Sequence, residues 1–132
     1  SVRTVHGMTC VWDAILRRMT ADEKALLRGP ASANTLLNWV QQQRITTPSV
    51  RVNGVALKPQ ELKENAERIT SISNIHNGYD MSSSDPLMCL LCQRLGWDIT
   101  VNFYGTHVRY TNAQQTSTPR SVAFNASNGH FS

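Results

Sequence analysis

The stretch "DPLMCLLCQRLGWDITVNF", Asp85 to Phe103, leaves this chain few ways to fold. Asp85 can cap a helix, Pro86 suits its first position, and Gly96 can end it in the left-handed conformation. Between those stops the residues are apolar almost all round, which predicts a buried helix. Directly after Gly96, "WDITVNF" alternates with the two-residue period of a strand that is buried on one face. A buried helix feeding a half-buried strand needs other elements to cover it. A chain of 132 residues can supply them as one domain, 1–132, burying roughly two thirds of its unfolded surface.

The covering elements can be read on either side. Trp12, Ile15, Leu16 and Met19 recur at the spacing of one helix face, with Asp13, Arg17 and Arg18 opposite. A short helix is expected over Ala21–Arg28, stopped by Gly29-Pro30, and a third after Ser32, which turns Leu36, Leu37 and Val40 inward. "VRVNGVAL", Val50 to Leu57, pivots on Asn-Gly and predicts a hairpin. Helix returns over Pro59–Ile69, and the polar stretch Ser71–Ser84 reads as a loop. After "WDITVNF", Tyr104-Gly105 turns into the strand "THVRY". A polar loop from Thr111 to Pro119 leads to "SVAFN", and "GHFS" is a last short strand. The class is α+β, with N-terminal helices packed on a small, mostly antiparallel sheet.

Composition closes off several functions. No run of about 18 apolar residues spans a membrane, and "SVRTVHGM" holds no apolar stretch of the kind a signal peptide needs. Three cysteines, an odd number, do not build a disulfide framework, so a reducing compartment is expected. The net charge is +4, yet the 13 basic residues are scattered, with no run to track phosphates and no aromatic RNA-binding signature. Nucleic acid is therefore not the expected main partner. The charge reads as a solvated surface or a match for an acidic partner.

Cys10 stands directly before the first predicted helix. A thiol there feels the positive end of the helix dipole and free N–H groups, which favour the thiolate. The flexible "GMT" before it could aim N–H groups of Gly7, Met8, Thr9 and Cys10 at an oxyanion. Position alone leaves a small buried hydrophobe as the alternative. A nucleophile needs a base. His107 falls on a solvent-facing strand position, His76 in the polar loop, and His6 on the approach to Cys10, where it would shape the loop. His130, between Gly129 and Phe131 at the start of the last strand, is the best-placed base. Cys89 and Cys92 form a C-x-x-C inside an apolar helix, where core packing is favoured over zinc. No metal or other cofactor is expected.

The order of these elements resembles the OTU (ovarian tumour) cysteine proteases. A cysteine opens a helix in "HGMTCVWDAI". A buried helix, an "I-x-V" strand and a tyrosine-bearing strand follow in "DPLMCLLCQRLGWDITVNF…VRY…SVAFN", and the chain closes on Gly-His-aromatic in "GHF". The resemblance covers roughly residues 5 to 19 and 85 to 132. The family's aspartate before the glycine is missing, one extra residue separates Gly7 from Cys10, and Ser132 stands where Asp or Asn usually orients the histidine. The compact pattern is most similar to the tymovirus-type domains of positive-strand RNA virus replication polyproteins. The resemblance implies an OTU-like papain-type fold, a Cys10–His130 dyad and a substrate channel walled by Trp12 or Phe131. It also implies cleavage after Gly-Gly-like tails of ubiquitin or a ubiquitin-like protein, and at polyprotein junctions, in the host cytoplasm. The competing expectation is a non-catalytic interaction module of the same fold or a small basic RNA-binding domain.

Overall fold

A computed structural model describes residues 3–43, 49–114 and 117–132 of the chain. Its centre is the helix expected from the sequence, α5 (Pro86–Leu95), in which Pro86 to Cys92 are all buried. The Asp85 carboxylate accepts from the Leu87 and Met88 N–H groups at 2.9 and 3.3 Å, and Gly96 ends the helix at φ +66°. The next strand, β5 (Trp97–Phe103), alternates as its sequence predicts. Trp97, Ile99, Val101 and Phe103 are buried, and Asp98, Thr100 and Asn102 lie on the outer face.

Five further strands extend this sheet in the spatial order β3-β2-β6-β5-β7-β8. They are β2 (Val50–Val52), β3 (Val55–Ala56), β6 (Thr106–Asn112), β7 (Arg120–Ser127) and β8 (His130–Phe131). Every pairing is antiparallel except β5 with β7, which run parallel. Three two-residue turns with both residues at positive φ close its hairpins: Asn53-Gly54, Tyr104-Gly105 and Asn128-Gly129. That conformation matches the right-handed twist of the flanking strands, which is why Asn-Gly is such a strong hairpin signal. The helices α1 (Cys10–Arg18), α2 (Ala21–Ala25), α3 (Ala33–Gln42) and α4 (Pro59–Thr70) complete the described helices. α1 packs against α3 and β8, α4 against α5, and α5 against β5, β6 and β2. The fold is α+β with a mostly antiparallel sheet, as expected.

Two strands were not expected. β1 (Arg3–His6) pairs antiparallel with β4 (Tyr79–Ser82), which lies inside the stretch read as a polar loop. Tyr79, Met81 and Ser82 of β4 are buried, so a segment rich in serine still contributes to the core. α2 also stops at Ala25 rather than Arg28, because Arg28 turns to φ +55° before Gly29-Pro30. The polar loop after β6 is shorter than expected, since Thr111 and Asn112 belong to that strand. Its residues Gln115 and Thr116 lie outside the described part.

Long-range polar contacts fix the helices to the sheet. Glu23, in the capping box of α2, accepts from Trp97 Nε1 at 2.6 Å and from Arg120 at 2.7 Å. Arg18, at the end of α1, lies over the Phe124 ring at 4.6 Å and donates to the Ala123 carbonyl at 2.8 Å. α1 is thereby held along β7, and it also packs against β8.

Candidate active site

Gly7 to Cys10 form a tight turn between β1 and α1. Met8 occupies φ +54° and is 71% exposed, a strained and open position of the kind that clusters at functional sites. Cys10, the first residue of α1, is half-buried. Thr9 precedes it as the N-cap without a side-chain cap bond, because its hydroxyl donates to Asp13 Oδ2 at 2.8 Å. The N-terminus of α1 is therefore left without a side-chain cap beside the thiol.

The turn is tied to the other end of the chain. The Gly7 N–H donates to the Gly129 carbonyl at 2.8 Å, and Gly129 directly precedes His130. His130 pairs with Ser127 across the Asn128-Gly129 turn and is exposed. Ser132 exchanges both backbone hydrogen bonds with Asn125, at 2.7 and 2.9 Å. The turn that precedes Cys10 and the residue before His130 are thus joined. Among the described residues, no hydrogen bond joins the Cys10 thiol to the His130 ring.

Two expectations about this corner are corrected. Gly7 was expected among the oxyanion donors, yet its N–H is committed to Gly129. The Cys10 N–H leans toward the Gly7 carbonyl at 3.4 Å, so among the described residues Met8 and Thr9 carry the backbone N–H groups of this turn left without an acceptor. Trp12 and Phe131 were expected to wall a channel, but both are fully buried. Trp12 meets Tyr79 edge-on at 6.0 Å, and Phe131 stacks on Phe124 at 5.0 Å. Each is core, since α1 presents Trp12 inward and the pleat of β8 turns Phe131 inward.

The remaining candidates sit apart. His107 is exposed on β6 as its pattern predicts, and His76 is exposed in the loop before β4. Cys89 and Cys92 are fully buried in α5, and burial pushes both thiols up, Cys92 to about 12. Such thiols stay protonated and unreactive. Among the described residues, no group of three His, Cys, Asp or Glu side chains is placed to hold a metal ion, and no helix is long and apolar enough to cross a membrane.

His6 is the residue whose place the sequence did not reveal. It is fully buried at the end of β1, and among the described residues neither ring nitrogen makes a well-formed hydrogen bond. Its ring meets Phe131 edge-on at 5.7 Å and stacks on Tyr104 at 6.5 Å. Burial is the main force holding its pKa below the ordinary value. The His130 imidazole adds to that effect and the His130 backbone partly offsets it. The one sequence signal was adjacency to the Gly7–Cys10 turn. The aromatic rings that bury His6 come from β8 and from the β5–β6 turn.

No family model, curated protein or solved structure matches this chain.

Proposed function

We propose that this chain is an OTU-like, papain-type cysteine protease in which Cys10 is the nucleophile and His130 the base. The observation that carries the reading is the Gly7–Gly129 hydrogen bond. It ties the turn that precedes a half-buried cysteine to the residue just before a histidine, which supports the pairing. In the reaction, Cys10 Sγ attacks the carbonyl carbon and the C–N bond breaks. The proton taken from the thiol by His130 goes to the departing amine. Water then hydrolyses the thioester, releasing the carboxylate product and restoring the thiol. The Met8 and Thr9 N–H groups are the donors available to the oxyanion.

The substrate class follows from the sequence resemblance: peptide or isopeptide bonds after Gly-Gly-like tails of ubiquitin or a related modifier, and junctions of a viral replication polyprotein in the host cytoplasm. Ubiquitin carrying an electrophilic C-terminus tests it directly. The wild-type chain is expected to form a covalent adduct at Cys10 and to hydrolyse isopeptide-linked ubiquitin. Cys10→Ala is expected to do neither while melting at a similar temperature. Labelling that persists in Cys10→Ala, or no adduct and no hydrolysis with the wild type, would overturn the reading and leave an interaction module.

A further inference from the structure

Each residue beside His130 is gripped by the same dipeptide. Gly129, before it, accepts from the Gly7 N–H at 2.8 Å, and Phe131, after it, carries the ring against which His6 packs at 5.7 Å. Three residues beyond Gly7 comes Cys10. His6-Gly7 is therefore the physical link between the loop of the nucleophile and the strand of the base.

A histidine is a costly choice for that link. The ring is fully buried, and among the described residues neither nitrogen makes a well-formed hydrogen bond, the His130 backbone being the polar group that acts on it. An apolar ring would pack there without that penalty, and departures from economical packing concentrate where a site needs them. Tyr104 covers the other side of the ring, with its hydroxyl donating to Thr4 Oγ1 at 2.7 Å. The titratable groups around His6 are His130 on β8, Tyr104 in the β5–β6 turn and Tyr79 opposite it on β4, with Cys10 beyond the turn. The Tyr79 hydroxyl is engaged by Asp85 at 2.9 Å, and no carboxylate bonds either nitrogen of His6. A proton on His6 would thus be a buried cation with no counter-charge, next to a second imidazole.

We infer that His6 is a positioning residue that holds His130 against the Cys10 loop only as the neutral imidazole, so that acid releases the grip. The inference rests on the Cys10–His130 reading above. Its sign is fixed by burial, which already disfavours the charged ring. The grip is complete above the ordinary histidine range and is lost as pH falls below it.

The test is the pH profile of Cys10 alkylation by iodoacetamide, with thermal melts alongside. A thiolate paired with an imidazolium reacts well below the pH at which a free thiol ionises, which gives a low-pH limb. In the wild type this limb is expected to fall off below the ordinary histidine range, as His6 takes up its proton. His6→Phe keeps the ring and cannot be protonated, so its limb is expected to extend about one unit further into acid. His6→Ala removes the ring. Its rate near pH 6 is expected to fall about ten-fold or more, while its rate near pH 9.5, where the thiol ionises unaided, stays within about two-fold. A His6→Phe profile that superposes on the wild type, or a low-pH limb retained in a folded His6→Ala, overturns the inference. His6→Phe decides the matter alone if His6→Ala does not fold. A wild type with no low-pH limb instead defeats the Cys10–His130 pair itself, and this inference with it.

Discussion

Replacing Asp85 by Asn is expected to shift stability in favour of the variant as pH rises from acid to neutral. Asp85 is fully buried at the head of α5. It accepts from the N–H groups of Leu87, Met88 and Ser82 and from the Tyr79 hydroxyl, at 2.9 to 3.3 Å. Those donors favour the carboxylate, as does Arg68, but burial outweighs them and lifts the carboxyl from 3.8 to about 6. The folded state therefore holds this proton more tightly than the unfolded chain does. Its contribution is complete below about pH 4 and is lost as pH rises through 6, the direction linkage gives for a raised pKa. A rise of about two units corresponds to about 3 kcal/mol. The Asp85→Asn oxygen can still cap α5, although its NH2 cannot accept from the Ser82 N–H as Oδ2 does, and the side chain carries no charge at any pH, so its contribution does not change with pH. In urea melts of both proteins from about pH 4 to pH 8, the difference in stability should shift toward the variant by about 3 kcal/mol, or about 10 °C in Tm, as pH rises. If the wild type instead gains on the variant as pH rises, the donors outweigh burial and the reasoning is refuted.

The thiols can be counted against each other. Folded wild type is expected to take up one equivalent of iodoacetamide, at Cys10, and denatured protein three, while Cys89→Ala with Cys92→Ala costs about 2–3 kcal/mol of stability and leaves the native uptake unchanged. Native uptake above one equivalent would contradict the burial of α5. The glycines offer a graded series. Gly54 and Gly105 face open space, so alanine there pays only for positive φ, about 1–2 kcal/mol. A Cβ at Gly78 would run into the His6 carbonyl, so Gly78→Ala is expected to cost at least about 2 kcal/mol more than Gly54→Ala in urea melts. Equal losses would show that β1 is not held as described.

Elements that carry their own punctuation were legible from sequence. Asp85-Pro86 and Gly96 bound α5, and Asn53-Gly54 and Tyr104-Gly105 close their hairpins, because each signal acts within a few residues. Asn128-Gly129 belongs to the same class, and reading it would have joined β7 to β8 as a hairpin. β1 and β4 were hidden for a different reason. Neither has a pattern of its own, and each is a strand only because the other pairs with it across most of the helices. At the candidate site, the helix-opening cysteine and the strand-opening histidine were visible as types. The burial of His6, Trp12 and Phe131 was not, because it arises where distant segments meet. The engagement of Gly7 was hidden likewise, since its acceptor lies near the other end of the chain.

The Gly7–Gly129 contact also bears on how this corner forms. Nearly the whole chain lies between its two residues, so closing it incurs one of the largest loop entropies in the fold. The β5–β6 hairpin and the α5–β5 unit involve short separations and can order first. The β1 and β8 junction is expected to assemble last and to open first, since it rests on a two-residue edge strand. Amide exchange would then be faster at Gly7 and Phe131 than at Ile99 or Val101 under conditions where the core stays closed. Any activity in this corner would fade before the protein melts, so heat inactivation and global unfolding would be two events at two temperatures.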